Sequence, residues 1–151
     1  MTRLQDVTEL LATHELAIMA LYEAFADAFR GQRELWQSIA ADEQGHADAL
    51  LRLRQDHPAA TEAAFSQFKA RAVLSSIAFV EEKTAQARNG GLTHVAALSL
   101  GRELESALLE DSFFKAGRQA PSAMRPVLAQ LSAETRRHQT IIEAALAAET
   151  A

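Results

Sequence analysis

Acids and histidines placed where a helix wants leucine are the residues of this sequence that can do chemistry. Glu15 lies between Leu11 and Ile18, on the side of Tyr22, while Glu9, Glu23 and Asp27 fall on the opposite side of the same helical turn pattern. Glu43 and His46, in Glu-Gln-Gly-His, are three apart and so share a helical face with Trp36, Ile39, Ala47 and Leu50. An ionised group among apolar side chains is costly unless it is paired or binds a metal. A carboxylate and an imidazole offset by one turn can grip a metal ion from a single helix.

The second half of the chain repeats the theme. Glu105 falls between two apolar groups, beside Gly101 and Ser112, and is preferred as a ligand to Glu103, which lies at the polar edge with Glu110. His138 is central in a stripe of Leu131, Ile141, Ile142 and Ala145, with Glu134 one turn earlier and Thr135 three residues before it. His14, His57 and His94 have no such setting and read as surface or interface residues. Arg136 and Arg137 point away from the centre of the His138 stripe and are poor neutralisers of a buried acid. Two structural alternatives stand beside the metal reading. A buried acid at a helix waist can pair with an arginine, and a histidine on an apolar face is often a satisfied core residue.

These side chains need long helices to hold them. The chain has 151 residues, about one domain, with only 6 Gly and 3 Pro. Apolar residues recurring at helical spacing mark four long helices, at about 3–30, 32–55, 93–116 and 122–148. Gly31 separates the first two, and His57-Pro58 ends the second. Asn89-Gly90-Gly91 precedes the third, with Thr93 as its N-cap. The crossover at 57–91 is too long to be structureless and holds helical stretches at about 74–88 and about 62–70. Its aromatics Phe65, Phe68 and Phe79 read as exposed and suit a homodimer interface.

Composition excludes several classes of function. There is no cysteine, hence no disulfide, thiolate metal site or iron–sulfur cluster. The formal charge of -5 is spread through the chain with no basic stripe, which argues against nucleic acid. Apolar runs are too short to span a membrane. The start, MTRLQDVTELL, lacks the apolar core of a secretory signal, and the expected location is cytoplasmic.

The order Glu15, Glu43-x-x-His46, Glu105, then His138, with the long crossover in the middle, resembles the rubrerythrin branch of the ferritin-like superfamily. Members of that superfamily carry one Glu from each of two helices and Glu-x-x-His from each of the other two. The segment Glu-Leu-Ala-Ile-Met-Ala-Leu-Tyr, Glu15 to Tyr22, resembles the rubrerythrin first helix. The resemblance covers nearly the whole chain. It implies an all-α, ferritin-like up-down four-helix bundle, single-domain over 1–151, with the crossover between helices two and three. It also implies a di-iron centre, with Glu15 and Glu105 as terminal ligands, Glu43 as a bridge, His46 and His138 as nitrogen donors, and Tyr22 bonded to a ligand carboxylate. Such a centre oxidises Fe(II) or reduces peroxide or dioxygen. Manganese or zinc also suits carboxylate and imidazole donors. The chain departs from the family in having no rubredoxin domain. It also has Thr135 at the family's fourth-helix glutamate position. Glu134 is one residue early, turned by about 100°. The other expectation is a degenerate bundle with one metal or none, serving as a binding or assembly module.

Overall fold

The structure, a computed structural model, describes residues 6–108 and 114–151. The described residues are all-α, with several long packed helices and no strands. They fall into two compact units, one ending at Asn89 and one starting at Gly90.

The first unit is built on α1 (Val7–Ala28) and α2 (Arg33–Asp56), joined by a single 3-10 turn at Arg30–Gln32. So short a reversal makes the two helices neighbours. Asp6 caps α1, its Oδ1 accepting from the amides of Thr8 at 2.8 Å and Glu9 at 3.1 Å. Asp6 and Glu9 also meet Arg54 of α2, each at 3.0 Å. These pairs are half-exposed and add little stability beyond the cap. The apolar core at the other end is aromatic. Trp36 is wholly enclosed, with its ring centroid 5.3 Å from Tyr22 and 4.8 Å, edge-on, from Phe25.

Past α2 the chain turns at once into α3 (Pro58–Ala64), with Pro58 in its first turn. Proline there needs no amide donor and has φ already set for helix. The buried Thr61 hydroxyl donates to the Leu53 carbonyl at 2.9 Å, a second donor beside the His57 amide at 2.8 Å, and so ties α3 to the end of α2. The short helix expected at 62–70 is therefore found earlier, at 58–64. The next helix, α4 (Ala70–Arg88), begins four residues before the expected Leu74. It packs on α1 through Val73, Ile77, Val80, Thr84 and Ala87. Gly90, at φ +74°, turns the chain in the left-handed region that side chains rarely adopt.

The expected aromatic surface of the crossover is corrected in part. Phe65 is buried, at 1 % exposure, and packs beside Phe68. Phe79 is exposed, with the Lys83 ammonium over its ring.

The second unit holds α5 (His94–Leu108), α6 (Phe114–Gln119) and α7 (Arg125–Thr150). Thr93 accepts from the Ala96 amide at 3.1 Å, in the N-cap role expected of it. Both α5 and α6 pack on α7. Ala97, Leu98, Leu100 and Leu104 of α5 are buried, as are Met124, Leu128, Leu131 and Ile142. The Gln139 amide donates to Ser106 at 2.7 Å, and His94 hydrogen-bonds Glu149. The third helix expected over 93–116 is described to Leu108 and again from Phe114; Leu109, Glu110, Ser112 and Phe113 lie outside the described residues, as do Arg3 and Leu4. No described helix is long and apolar enough to cross a membrane.

Candidate metal centre

In the first unit, α1 contributes Glu15 and α2 contributes Glu43 and His46. All three are buried, at 1 %, 0 % and 1 % exposure. Helical spacing puts them inward: Glu15 is one turn from Leu11 and Ile18, and the pair on α2 is flanked by Ile39, Ala47 and Leu50. Each offers one ligand atom, and these atoms lie within 4.8 Å of one another. The His46 Nδ1 is 3.3 Å from Glu43 Oε2 and 3.8 Å from Glu15 Oε2. Two donors that each stand about 2.1 Å from one ion lie no more than about 4 Å apart, so both distances suit a shared ion.

The electrostatics of this cluster are unusual. Neither carboxylate oxygen of Glu15 has a hydrogen-bond partner among the described residues. Burial, and after it the charge of Glu43, pushes the Glu15 carboxyl up to about 8. Burial alone would push the His46 imidazole down. The Glu15 and Glu43 carboxylates outweigh that and hold it up, at about 11. A cation between the three would take over the role of both protons. Oxygen and imidazole donors without thiolate are the set that Fe(II), Mn(II) and Zn(II) accept.

In the second unit, Glu105 of α5 and His138 of α7 are both fully buried, with His138 Nδ1 3.3 Å from Glu105 Oε1. Glu103 is exposed. Glu134 is half-buried, and it forms no group of three with Glu105 and His138 among the described residues. Thr135 takes the inward position next to it, fully buried, and donates its hydroxyl to the Leu131 carbonyl at 2.8 Å. Arg136 and Arg137 are exposed.

His14, read from the sequence as a surface or interface residue, is instead buried, and its Nε2 lies 2.8 Å from the Ser76 hydroxyl of α4. Burial holds its imidazole below the ordinary value, against the opposing charge of Glu15. The signal available in the sequence was the stripe of α4, whose apolar positions needed a face on α1. His57 and His94 are half-buried.

Gly45, between Glu43 and His46, is exposed, and nothing lies within 4 Å of where a Cβ would stand. Space does not demand glycine there. Gly45→Ala is expected to raise stability by about 0.5–1 kcal/mol, read from urea unfolding, with metal content unchanged.

Fold and site together define an all-α helical protein with buried carboxylate–imidazole groups able to hold a metal. Among known proteins, no family model matches the chain, and neither a curated protein nor a solved structure matches it.

Proposed function

We propose that this chain is a ferritin-like, rubrerythrin-type protein, one four-helix bundle over 1–151, that holds non-haem iron and oxidises Fe(II) or reduces peroxide or dioxygen. The observation that carries the reading is the Glu15–Glu43–His46 group: three buried ligands, with the Glu15 oxygens unmatched by any described hydrogen-bond partner. Two buried acids share one imidazole there, and native proteins rarely bury acids in excess of the groups that can pair with them. Glu105 and His138 are the ligands proposed for a second iron, on the order of the motifs along the chain, and Glu134 is proposed as the substitute for the family's fourth-helix glutamate.

Bound iron would supply one-electron oxidation and reduction. The protein's own residues do the rest. Glu15, Glu43 and His46 would hold an ion with Glu15 and His46 deprotonated and the carboxylates balancing its charge, and Ile18, Ile39 and Leu50 keep bulk water out. Tyr22, two turns along α1 and fully buried, is proposed to orient a ligand carboxylate. Electrons come from ferrous iron or from another protein.

Thr135 favours a second reading. A buried threonine whose hydroxyl is committed to Leu131 brings no carboxylate, and the site would then take one ion. Aerobic Fe(II) oxidation by the purified protein tests the proposal. The parent should oxidise added Fe(II) faster than buffer, and Glu43→Gln should reduce that rate to the buffer background. Equal rates for parent and Glu43→Gln would refute it.

A further inference from the structure

Away from the metal centre, α6 and the first half of α7 enclose a groove of about 360 Å³, within the range of small-molecule sites. Along α7 its wall is Arg125, Leu128, Ala129, Ser132, Ala133 and Arg136, the positions one helical face presents. Gly117 and Arg118 of α6 form the other side, and Gly117 brings that helix close, a Cβ there lying 3.8 Å from Leu128 Cβ.

The floor is apolar and the ends are cationic. Arg125 stands at one end of the α7 face and Arg136 eleven residues on, about 16 Å along the axis. Arg118 joins from α6. Among the described residues no acid lines the groove, in a chain whose formal charge is -5. The Arg125 Nε donates to the Ala120 carbonyl at 3.0 Å, which fixes the guanidinium plane and leaves the terminal nitrogens for another acceptor. Among the described residues neither Arg125 nor Arg136 has an acidic partner. Aliphatic arginine stems extend an apolar floor while their heads select negative charge.

We propose that this groove binds a small organic anion, a carboxylate or phosphate on an aliphatic body. The anionic head pairs with Arg125, and the body lies over Ala129, Ala133 and the aliphatic arginine stems. The site is separate from the metal ligands and stands or falls without them.

Decanoate is the probe, with decan-1-ol as the uncharged control, in isothermal titrations of the full chain. Expected are saturable binding of decanoate with one site per chain, binding of decan-1-ol at least tenfold weaker, and affinity that falls as salt rises. Arg125→Gln should weaken decanoate about tenfold, the loss of one charge-assisted hydrogen bond. Ala129→Trp should fill the floor and abolish binding. Both positions are exposed, and circular dichroism and the urea midpoint check that each variant keeps the fold, Arg125→Gln because it also gives up the bond to Ala120. The proposal is overturned by absence of saturable decanoate binding, by decan-1-ol binding equally well, or by Arg125→Gln and Ala129→Trp binding as the parent does. Polyglutamate binding that Arg125→Gln weakens, with none of decanoate, would also overturn it in favour of an acidic protein partner.

Discussion

Glu43→Leu should make the metal-free protein more stable and at the same time deprive it of the stabilisation that Fe(II) gives the parent. The two effects have opposite signs and a common cause. Without a cation, Glu43 sits wholly enclosed beside a second buried acid and a buried imidazole. Removing Glu43 takes away the charge that repels Glu15 and leaves Glu15 to pair with His46, so no buried charge is left without a partner. Exchanging buried ionic groups for apolar side chains of similar size has stabilised other proteins by about 1–4 kcal/mol where no unpaired charge remained. With a cation the same carboxylate becomes a ligand. A metal at a hundred times its dissociation constant adds about 2.7 kcal/mol to the folded state, and a variant that cannot bind gains none of it. Urea unfolding curves with chelator and with Fe(II) under anaerobic conditions should therefore cross: the variant ahead without metal, the parent ahead with it. A variant that is less stable than the parent without metal, and that still gains from Fe(II), would show that Glu43 is a structural acid and no ligand.

The pH dependence of the metal-free protein should be steep and should run in the direction opposite to that of metal binding. The Glu15 carboxyl is raised from 4.5 to about 8 by burial and the neighbouring Glu43 charge. The His46 imidazole is raised from 6.5 to about 11 by the two carboxylates, against its burial. In both cases the folded state holds a proton that the unfolded chain gives up more readily. Stability is then fully present below the unfolded values and is lost as pH rises through the folded ones. Below 6.5, His14, whose value is lowered, works the other way, since the unfolded chain takes up a proton that the buried imidazole refuses. Among the shifts resolved for the described residues, those of Glu15 and His46 operate between about pH 7 and about pH 9, both toward loss, and the urea midpoint of metal-free protein should fall throughout. Metal affinity should rise over the same interval, because each ion must displace those protons. Glu15→Gln removes one of the two titrations and should flatten the stability curve. A midpoint that rises from pH 7 to pH 9, or a curve that Glu15→Gln leaves unchanged, would contradict the assigned electrostatics.

Much of this architecture was legible because helices expose their neighbours through a fixed period. Glu15, Glu43 and His46 could be placed inward from their positions relative to Leu11, Ile18, Ile39 and Leu50, with no reference to any partner helix. The choice of Glu105 over Glu103 followed from the same arithmetic, and Glu105 is buried while Glu103 is exposed. Thr93 was legible as a cap because its hydroxyl precedes an apolar-periodic run. What escaped was whatever depends on a second neighbour. The α1 stripe was drawn for one partner, yet α1 is packed by both α2 and α4. Its buried surface is accordingly wide enough to take in His14 as well as Leu10 and Leu21. Phe65 was misjudged for a related reason. It follows the short helix that Pro58 starts, four residues earlier than periodicity alone suggested, and that shift turns its ring inward. The arginine groove carried no signal in the sequence, because Arg118 and Arg125 belong to different helices and their proximity arises only when α6 packs on α7.

The central claim is that the buried acids and histidines hold iron, and it is tested most directly by elemental analysis of protein from iron-supplemented cells, quantified against protein concentration. About two irons per chain in the parent, and none in Glu43→Leu purified alongside it, is the predicted result. A parent with no more iron, manganese or zinc than Glu43→Leu would contradict it.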